Sequence, residues 1–148
     1  MTAKWEKCAR VYFRRDGKQV VISTIHHDSD GFRIMAEGPL SLTSWTDEEL
    51  GESLQTALDQ SSIFTGERTR GNMSYGPALK SSGEPSERSF EVSFIPVDLS
   101  GWPTFILIDA SATDQKLRLR IELPLQAPAA ELARKVTRMF EFLRDRKF

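Results

Sequence analysis

Acidic side chains are concentrated in one interval of the sequence. Between Ile34 and Gly66 there is no Lys or Arg, whereas six carboxylates lie within the interval. Carboxylates at this density could act as general acids and bases, bind a cation, or present a docking face to a basic partner. The six candidate residues are Glu37, Asp47, Glu48, Glu49, Glu52 and Asp59.

Five of these six side chains belong to a predicted helix over Thr46–Ser61. Thr46 is the expected N-cap, and Glu49 follows at the spacing of a capping box, in which each side chain satisfies a backbone amide at the helix start. Gly51 lies inside the helix, where it lowers stability by about 1 kcal/mol relative to Ala unless another element packs closely over it. The predicted apolar face comprises Leu50, Leu54, Ala57 and Leu58.

Part of the acidic set forms a stripe beside that apolar face. Glu48, Glu52 and Asp59 lie within about a quarter-turn of one another on a helix. The helix dipole favours carboxylates in the first turn, but it does not account for Glu37, Glu52 or Asp59. The sequence therefore predicts a negative surface beyond what the helix itself requires.

Other residues with possible chemistry have simpler structural interpretations. His26 and His27 are adjacent in a predicted strand, so their side chains point to opposite faces and do not converge easily on one metal. The segment 28–31, "DSDG", lacks the other ligands of a calcium loop and indicates a turn. Asp109, near a strand end, could be a buried carboxylate at a site, whereas Cys8 is expected to pack. No catalytic motif occurs, and we expect no metal and no cofactor.

The composition indicates one globular domain over residues 1–148. Of the 148 residues, 39% are hydrophobic and 28% charged, and the formal net charge is −1. The single cysteine cannot form an intrachain disulfide and suits a reducing compartment. No apolar signal segment is present, and no run approaches the roughly 18 apolar residues of a membrane span. We therefore expect a cytoplasmic protein without membrane contact.

The remaining chain alternates between strand patterns and helices in the order βββαβββα. This order predicts an α+β fold, with a single antiparallel sheet of five to six strands and two helices packed on one face. The segment 104–111 is apolar on both sides, which predicts a central strand. The predicted strands are 8–15, 19–27, 32–42, 89–96, 104–111 and 116–123, and the second helix is Ala129–Lys147.

Two further structural predictions concern the core and the long connection. Gly66–Ser89 is rich in Gly, Ser and charge, so we expect it to be mobile or ordered by a partner, with at most a short helical turn around "PALKSS". The predicted core includes Leu117, Leu119, Ile121, Val136 and Phe140.

Basic residues gather in the first hairpin and the last helix. Glu131, Glu141 and Asp145 interrupt the basic character of that helix, and no aromatic residues for base stacking are interleaved on its exposed side. We therefore expect no direct nucleic-acid binding.

The segment "GFRIMAEGPLSLTSWTDEELGESLQTALDQS" resembles immunity proteins of bacterial contact-dependent growth inhibition (CDI) systems, the CdiI-like family. A hairpin strand that runs into the capped helix "DEELGESLQTAL" carries this resemblance, which covers about residues 19–62. The resemblance implies a small cytoplasmic protein without enzyme activity. It also implies that the protein binds, one to one, and neutralises the C-terminal toxin domain, often a nuclease, of a large exoprotein.

A nuclease carries Lys and Arg around its cleft because it must attract phosphate. An inhibitor that presents carboxylates there would imitate the charge of the substrate and accelerate association. The acidic set would then be a toxin-docking face. Two other classes remain open, namely an adaptor or secretion-chaperone-like binding module, and a small enzyme that uses Asp109, His26 or His27.

Overall fold

Eight strands and four helices form the parts of the chain that the computed structural model describes, residues 7–111 and 118–146. The strands are β1 (Lys7–Arg14), β2 (Val20–Asp28), β3 (Arg33–Met35), β4 (Leu40–Leu42), β5 (Ile63–Phe64), β6 (Phe94–Gly101), β7 (Phe105–Ser111) and β8 (Arg118–Pro124). The helices are α1 (Asp47–Asp59), α2 (Gly76–Ser82), α3 (Glu87–Ser93) and α4 (Ala129–Asp145).

All eight strands belong to one sheet with the order β3-β2-β1-β6-β7-β8, while β4 and β5 also pair with β2. Every pairing is antiparallel except the short parallel one between β2 and β5. The predicted α+β fold with a single antiparallel sheet is therefore confirmed. The central position predicted for segment 104–111 is wrong, because β1 and β6 occupy the centre and β7 lies next to the edge strand β8.

The predicted third strand, 32–42, is divided into β3 and β4. Both parts pair with β2, and the Ala36 amide still donates to the Thr24 carbonyl, but residues 37–39 leave the ladder. Gly38 has a positive φ of 69°, and Pro39 has no N–H to donate to a ladder. These two residues interrupt the edge of the sheet and turn the backbone outwards beside α1.

The first face of the sheet is covered by α1 and α4, as predicted. Val136 and Phe140 are buried, and the Phe140 ring stacks on Phe13 with 4.5 Å between centroids. Leu119 and Ile121 are half-buried against this core, and the predicted core residue 117 lies outside the described residues. Both helices end about two residues before their predicted ends.

The two helices of the first face cross at Gly51. A Cβ atom at this position would lie 1.8 Å from the carbonyl oxygen of Ala129. The glycine is therefore required by the close approach of α4, which offsets its cost of about 1 kcal/mol within a helix.

Among the residues that the structure describes, α2 and α3 cover the second face over the β1–β2 half of the sheet only. Phe90 is the centre of a second core, and its ring lies about 5 Å from those of Tyr12, Tyr75 and Phe94. The strand predicted from 89 is wrong up to Ser93, because these residues belong to α3.

Local capping and tertiary packing together select the helix at this position. The Ser86 side chain accepts a hydrogen bond from the Ser89 amide and begins α3. The apparent alternation of apolar residues misled the prediction, since Phe90 is buried whereas Val92 is 61% exposed.

The connection after α1 is more regular than its composition suggests. The short helix predicted around "PALKSS" is confirmed as α2, and Ala78 of this helix is fully buried. Segment 68–72 is attached to the hairpin of β2 and β3, because Met35 donates its amide to the Asn72 carbonyl and Arg68 pairs with Asp28. The predicted mobility of Gly66–Ser89 stays a prediction.

The β6–β8 half of the second face is open among the described elements. Charged and polar side chains project from it, including Asp98, Asp109, Arg118, Arg120 and Glu122, all exposed or half-buried. None of the helices in the described part of the chain combines the length and the apolar composition that crossing a membrane requires.

Candidate functional site

A groove of about 500 Å³ runs between α1 and the outward turn of Ala36–Pro39. Glu37, Glu49 and Glu52 line it, together with the ends of β4 and the exposed side of α1. These three carboxylates come from two elements, a strand interruption and a helix. We call this feature the acidic groove.

Local hydrogen bonds fix the walls of the acidic groove. The Thr24 hydroxyl donates to the Ala57 carbonyl at 2.8 Å and so ties α1 to β2. Gly38, with its positive φ, orients the backbone next to Glu37. The groove is therefore shaped by the sheet edge and not by a flexible loop alone.

Glu49 has a structural task at the start of α1. The Thr46 amide donates to its Oε1 at 3.4 Å, and the Glu49 amide donates to the Thr46 hydroxyl at 3.1 Å, which completes the predicted capping box. The carboxylate of Glu49 adds negative charge to the groove, but its position is decided by helix capping.

The other predicted acidic residues do not all join this groove. Glu48 is exposed and follows the same flank of α1 as Glu52. Asp47 lines a separate groove of about 440 Å³ with Arg134, Lys135 and Arg138 of α4. Asp47 therefore faces basic residues of its own chain.

Asp59 lies at the other end of α1, beside an apolar cleft of about 540 Å³. Trp102, Leu58 and Leu125 line this cleft. The Lys7 ammonium approaches the Asp59 carbonyl oxygen at 3.4 Å. Sequence reasoning missed this cleft, because its lining residues come from four separate segments of the sequence. The exposed "GWP" turn is the only local signal for it.

All six acidic side chains are exposed, and among residues 7–111 and 118–146 none of them forms an ion pair. The carboxylates at positions 37, 48, 49 and 52 therefore keep most of their negative field, whereas basic side chains lie near Asp47 and Asp59. The arrangement favours attraction of a basic surface. Within the described residues, no group of three or more His, Cys, Asp or Glu side chains could hold a metal ion.

Asp109 lies on the open half of the second face and is held by arginines. The Arg118 guanidinium donates twice to its carboxylate, at 3.0 and 2.6 Å, and Arg120 lies at 3.6 Å. The hydrogen bonds from Arg118 hold the pKa of Asp109 below its usual value. A carboxylate with a lowered pKa is a weak general base, so this geometry argues against the catalytic hypothesis.

The two histidines and Cys8 are wholly or partly buried within the fold. His27 is buried, whereas the neighbouring His26 is half-buried and its Nδ1 accepts a hydrogen bond from the Ser62 amide at 3.1 Å. Burial lowers the pKa of His26, which favours the neutral imidazole. Cys8 is buried, and its amide donates to the Ser61 hydroxyl.

The predicted turn at 28–31 is confirmed. Asp28 accepts hydrogen bonds from the amides of Asp30 and Phe32, and Gly31 has a positive φ of 87°.

Comparison of the fold with solved structures gives four matching chains, and two of them match over nearly the whole of this chain. A Neisseria meningitidis protein of unknown function has a TM-score of 0.66 at 14% identity, and the match covers 93% of this chain and 96% of that one. The CdiA-CT/CdiI toxin and immunity complex from Yersinia pseudotuberculosis also gives 0.66, at 12% identity, over 97% of this chain and 99% of the matched chain.

This chain has a CdiI-like fold. The structural match covers 97% of the chain, whereas the sequence resemblance concerns about residues 19–62. No known protein family matches the sequence, and no curated protein is significantly similar to it. At this low identity, the structural likeness concerns the CdiI-like fold and assigns no role to individual residues.

Proposed function

We propose that this protein is a CDI immunity protein, which binds one to one and neutralises the C-terminal toxin domain of a cognate exoprotein. The observation that carries the proposal is the match of almost the complete chain to a structure from a toxin and immunity complex. The protein acts by binding, without turnover of its own, in the cytoplasm of the cell that it protects.

The toxin-docking face is the acidic groove with the adjoining flank of α1. Glu37 and Glu52 lie there with no cation of the described chain to neutralise them. Glu48 extends the same negative surface along the helix, and Asp59 continues it towards the apolar cleft. Asp47 contributes least, since the basic side chains of α4 reduce its field.

This surface fits a basic nuclease domain. A nuclease attracts phosphate with Lys and Arg, so carboxylates placed over its cleft compete with the nucleic acid for the same residues. Blocking the cleft requires no chemistry from the inhibitor. The adaptor and secretion-chaperone alternative has no observation of its own in its favour.

The test requires the cognate toxin domain, which is to be sought at the C-terminus of a large secreted protein encoded in a neighbouring reading frame. Cells that express this domain should stop growing, and co-expression of the wild-type chain should restore growth. The double variant Glu37→Lys/Glu52→Lys should bind the domain at least about tenfold more weakly and fail to protect. Both residues are exposed, so folding should change by about 0.5 kcal/mol or less for each substitution.

A matched control distinguishes the effect of the position of the substituted charges from the effect of the change in net charge. Glu67→Lys/Glu141→Lys changes the charge by the same amount at exposed positions outside the groove, and it should protect like the wild type. If the groove variant binds as tightly as this control, the docking face lies elsewhere. If the wild-type chain neither binds nor protects, the immunity function itself is wrong.

A further inference from the structure

The edge strand β8 is a long strand that pairs on one side only among the described residues. It has seven residues and pairs with β7, at the end of the strand order. The opposite edge of the sheet is different, because β3 and β4 have three residues each and are separated by Gly38 and Pro39. An uninterrupted edge such as β8 offers unpaired backbone groups to another strand.

The hydrogen-bond pattern defines which backbone groups of β8 point outwards. Leu125 donates its amide to the Thr104 carbonyl, in continuation of the β7–β8 register. Hydrogen-bonded pairs alternate in an antiparallel ladder, so Leu119, Ile121 and Leu123 bond to β7. The N–H and C=O groups of Arg118, Arg120 and Glu122 therefore point to the free edge.

We propose that a second copy of this chain pairs with β8 in antiparallel orientation, around a twofold axis at Ile121. In this register Arg120 lies opposite Glu122 of the second copy, and by symmetry Glu122 lies opposite Arg120 of the second copy. Leu119 lies opposite Leu123 of the second copy on the first face. The interface is isologous, and its charged and apolar pairs between residues 119 and 123 are of types that stabilise a sheet. Pro124, which has no N–H, lies opposite Arg118 of the second copy and limits the ladder to these residues.

The ion pairs on the open half of the second face leave Arg120 and Glu122 available for pairing with a second copy. Arg118 occupies both oxygens of Asp109, and Arg120 is left at 3.6 Å from the same carboxylate. Glu122 has no ion pair among residues 7–111 and 118–146. Each copy thus presents one cation in excess and one unpaired anion, two residues apart on the free edge.

Other registers fit less well. A shift of one copy by two residues places Arg120 opposite Arg120, or Glu122 opposite Glu122, and like charges directly opposite each other destabilise a ladder. A shift by a single residue places each outward-bonding residue of one copy opposite a residue of the other copy whose backbone groups bond to β7, so the hydrogen bonds of the ladder cannot form. The register centred on Ile121 is therefore the one selected by charge.

Apolar surface supports the same pairing. Leu119 and Ile121 are only half-buried against the first-face core, because no further strand lies beyond β8 in the described chain. A second copy would cover both residues. The acidic groove lies at the opposite edge of the sheet, so it stays accessible in the dimer, and the dimer proposal does not depend on the proposed function.

The test measures the mass of the complete chain in solution by sedimentation velocity over a concentration series. The wild type should pass from monomer to dimer as concentration rises. Arg120→Glu alone and Glu122→Arg alone each place two like-charge pairs at the interface, and each should raise the dimer Kd at least about tenfold. The double swap Arg120→Glu/Glu122→Arg restores the opposite charges and should recover the dimer.

Arg134→Glu on α4 serves as the control, since it makes the same charge change at an exposed helical position and should leave the dimer intact. Circular dichroism and thermal unfolding verify that every variant is folded. A wild type that stays monomeric up to about 1 mM overturns the proposal. So does a folded double swap that stays as weak as the single variants, or single variants that associate like the wild type.

Discussion

Asp109 has a structural role, which depends on its arginine neighbours on β8. Its carboxylate completes a row of charges across four strands, in which Arg10 pairs with Asp98 at 2.6 Å and Arg120 lies beside Asp109. Asp98 and Asp109 are directly opposite each other in the ladder. Their mutual repulsion is offset because each has an arginine on its other side.

Replacing Asp109 by Asn should reduce stability in a pH-dependent way. The pKa of Asp109 is lowered in the folded state, so its contribution is present above the unfolded pKa of about 4 and is lost as pH falls through the lower folded value. The wild type should be more stable than Asp109→Asn at pH 7, and the difference should shrink below about pH 4. Urea unfolding across this range measures it.

Glu48→Gln is the control for that experiment, because Glu48 is exposed and has no ion pair in the described chain. Its effect on the free energy of unfolding should be small at both ends of the pH range. A difference between wild type and Asp109→Asn that is the same at pH 7 and at low pH would show that the ion pairs of Asp109 do not contribute to stability.

At the scale of elements, the crossing of α1 and α4 depends on one residue without a side chain. Gly51→Ala should lower the free energy of unfolding by about 2 kcal/mol or more, although Ala is a better helix former by about 1 kcal/mol. The cause is that the new Cβ would lie 1.8 Å from the Ala129 carbonyl oxygen and 2.3 Å from its carbon. Chemical denaturation measures the change.

A second variant distinguishes crowding of Gly51 by the backbone of Ala129 from crowding by the Ala129 side chain. The atoms that crowd Gly51 belong to the backbone of Ala129, so Ala129→Gly should not rescue Gly51→Ala. Thr56→Ala, at an exposed position of the same helix, should change stability by only about 0.5 kcal/mol. A Gly51→Ala protein that is as stable as the wild type would mean that the helices separate easily at this crossing.

At the scale of the whole molecule, acidic and basic side chains are concentrated in different places, although the net charge is only −1. Carboxylates without ion pairs surround the acidic groove, while Arg134, Lys135 and Arg138 lie together on α4. Such a distribution orients a charged partner during approach, even though the total charge is almost zero.

The proposed docking therefore has a salt dependence that can be measured. Association of the wild type with the basic toxin domain should slow as ionic strength rises, because the Debye length falls to about 10 Å at 0.1 M. For Glu37→Lys/Glu52→Lys, the slope of the association rate against salt should flatten or reverse. Stopped-flow mixing gives these rates, and equal slopes for both proteins would contradict electrostatic steering by the groove.

Much of this fold is encoded locally in the sequence. The capping box of Thr46 and Glu49, the alternation in β1 and β8, and the apolar spacing of α4 predict their elements correctly, because each signal depends on residues within a few positions of one another. The acidic character of α1 can also be predicted from the sequence, because the absence of Lys and Arg between Ile34 and Gly66 is apparent without a structure.

Tertiary structure decided the rest. Phe90 is buried from a helix because Tyr12, from the first strand, packs on it in addition to the local Ser86 cap. The strand predicted over 32–42 divides where Gly38 and Pro39 leave the ladder beside α1. The separation of the six carboxylates also depends on remote partners: Glu37 meets Glu52 across a groove, whereas Asp47 faces α4. These outcomes arise from contacts between residues far apart in the chain, and a pattern of neighbouring residues does not predict such contacts.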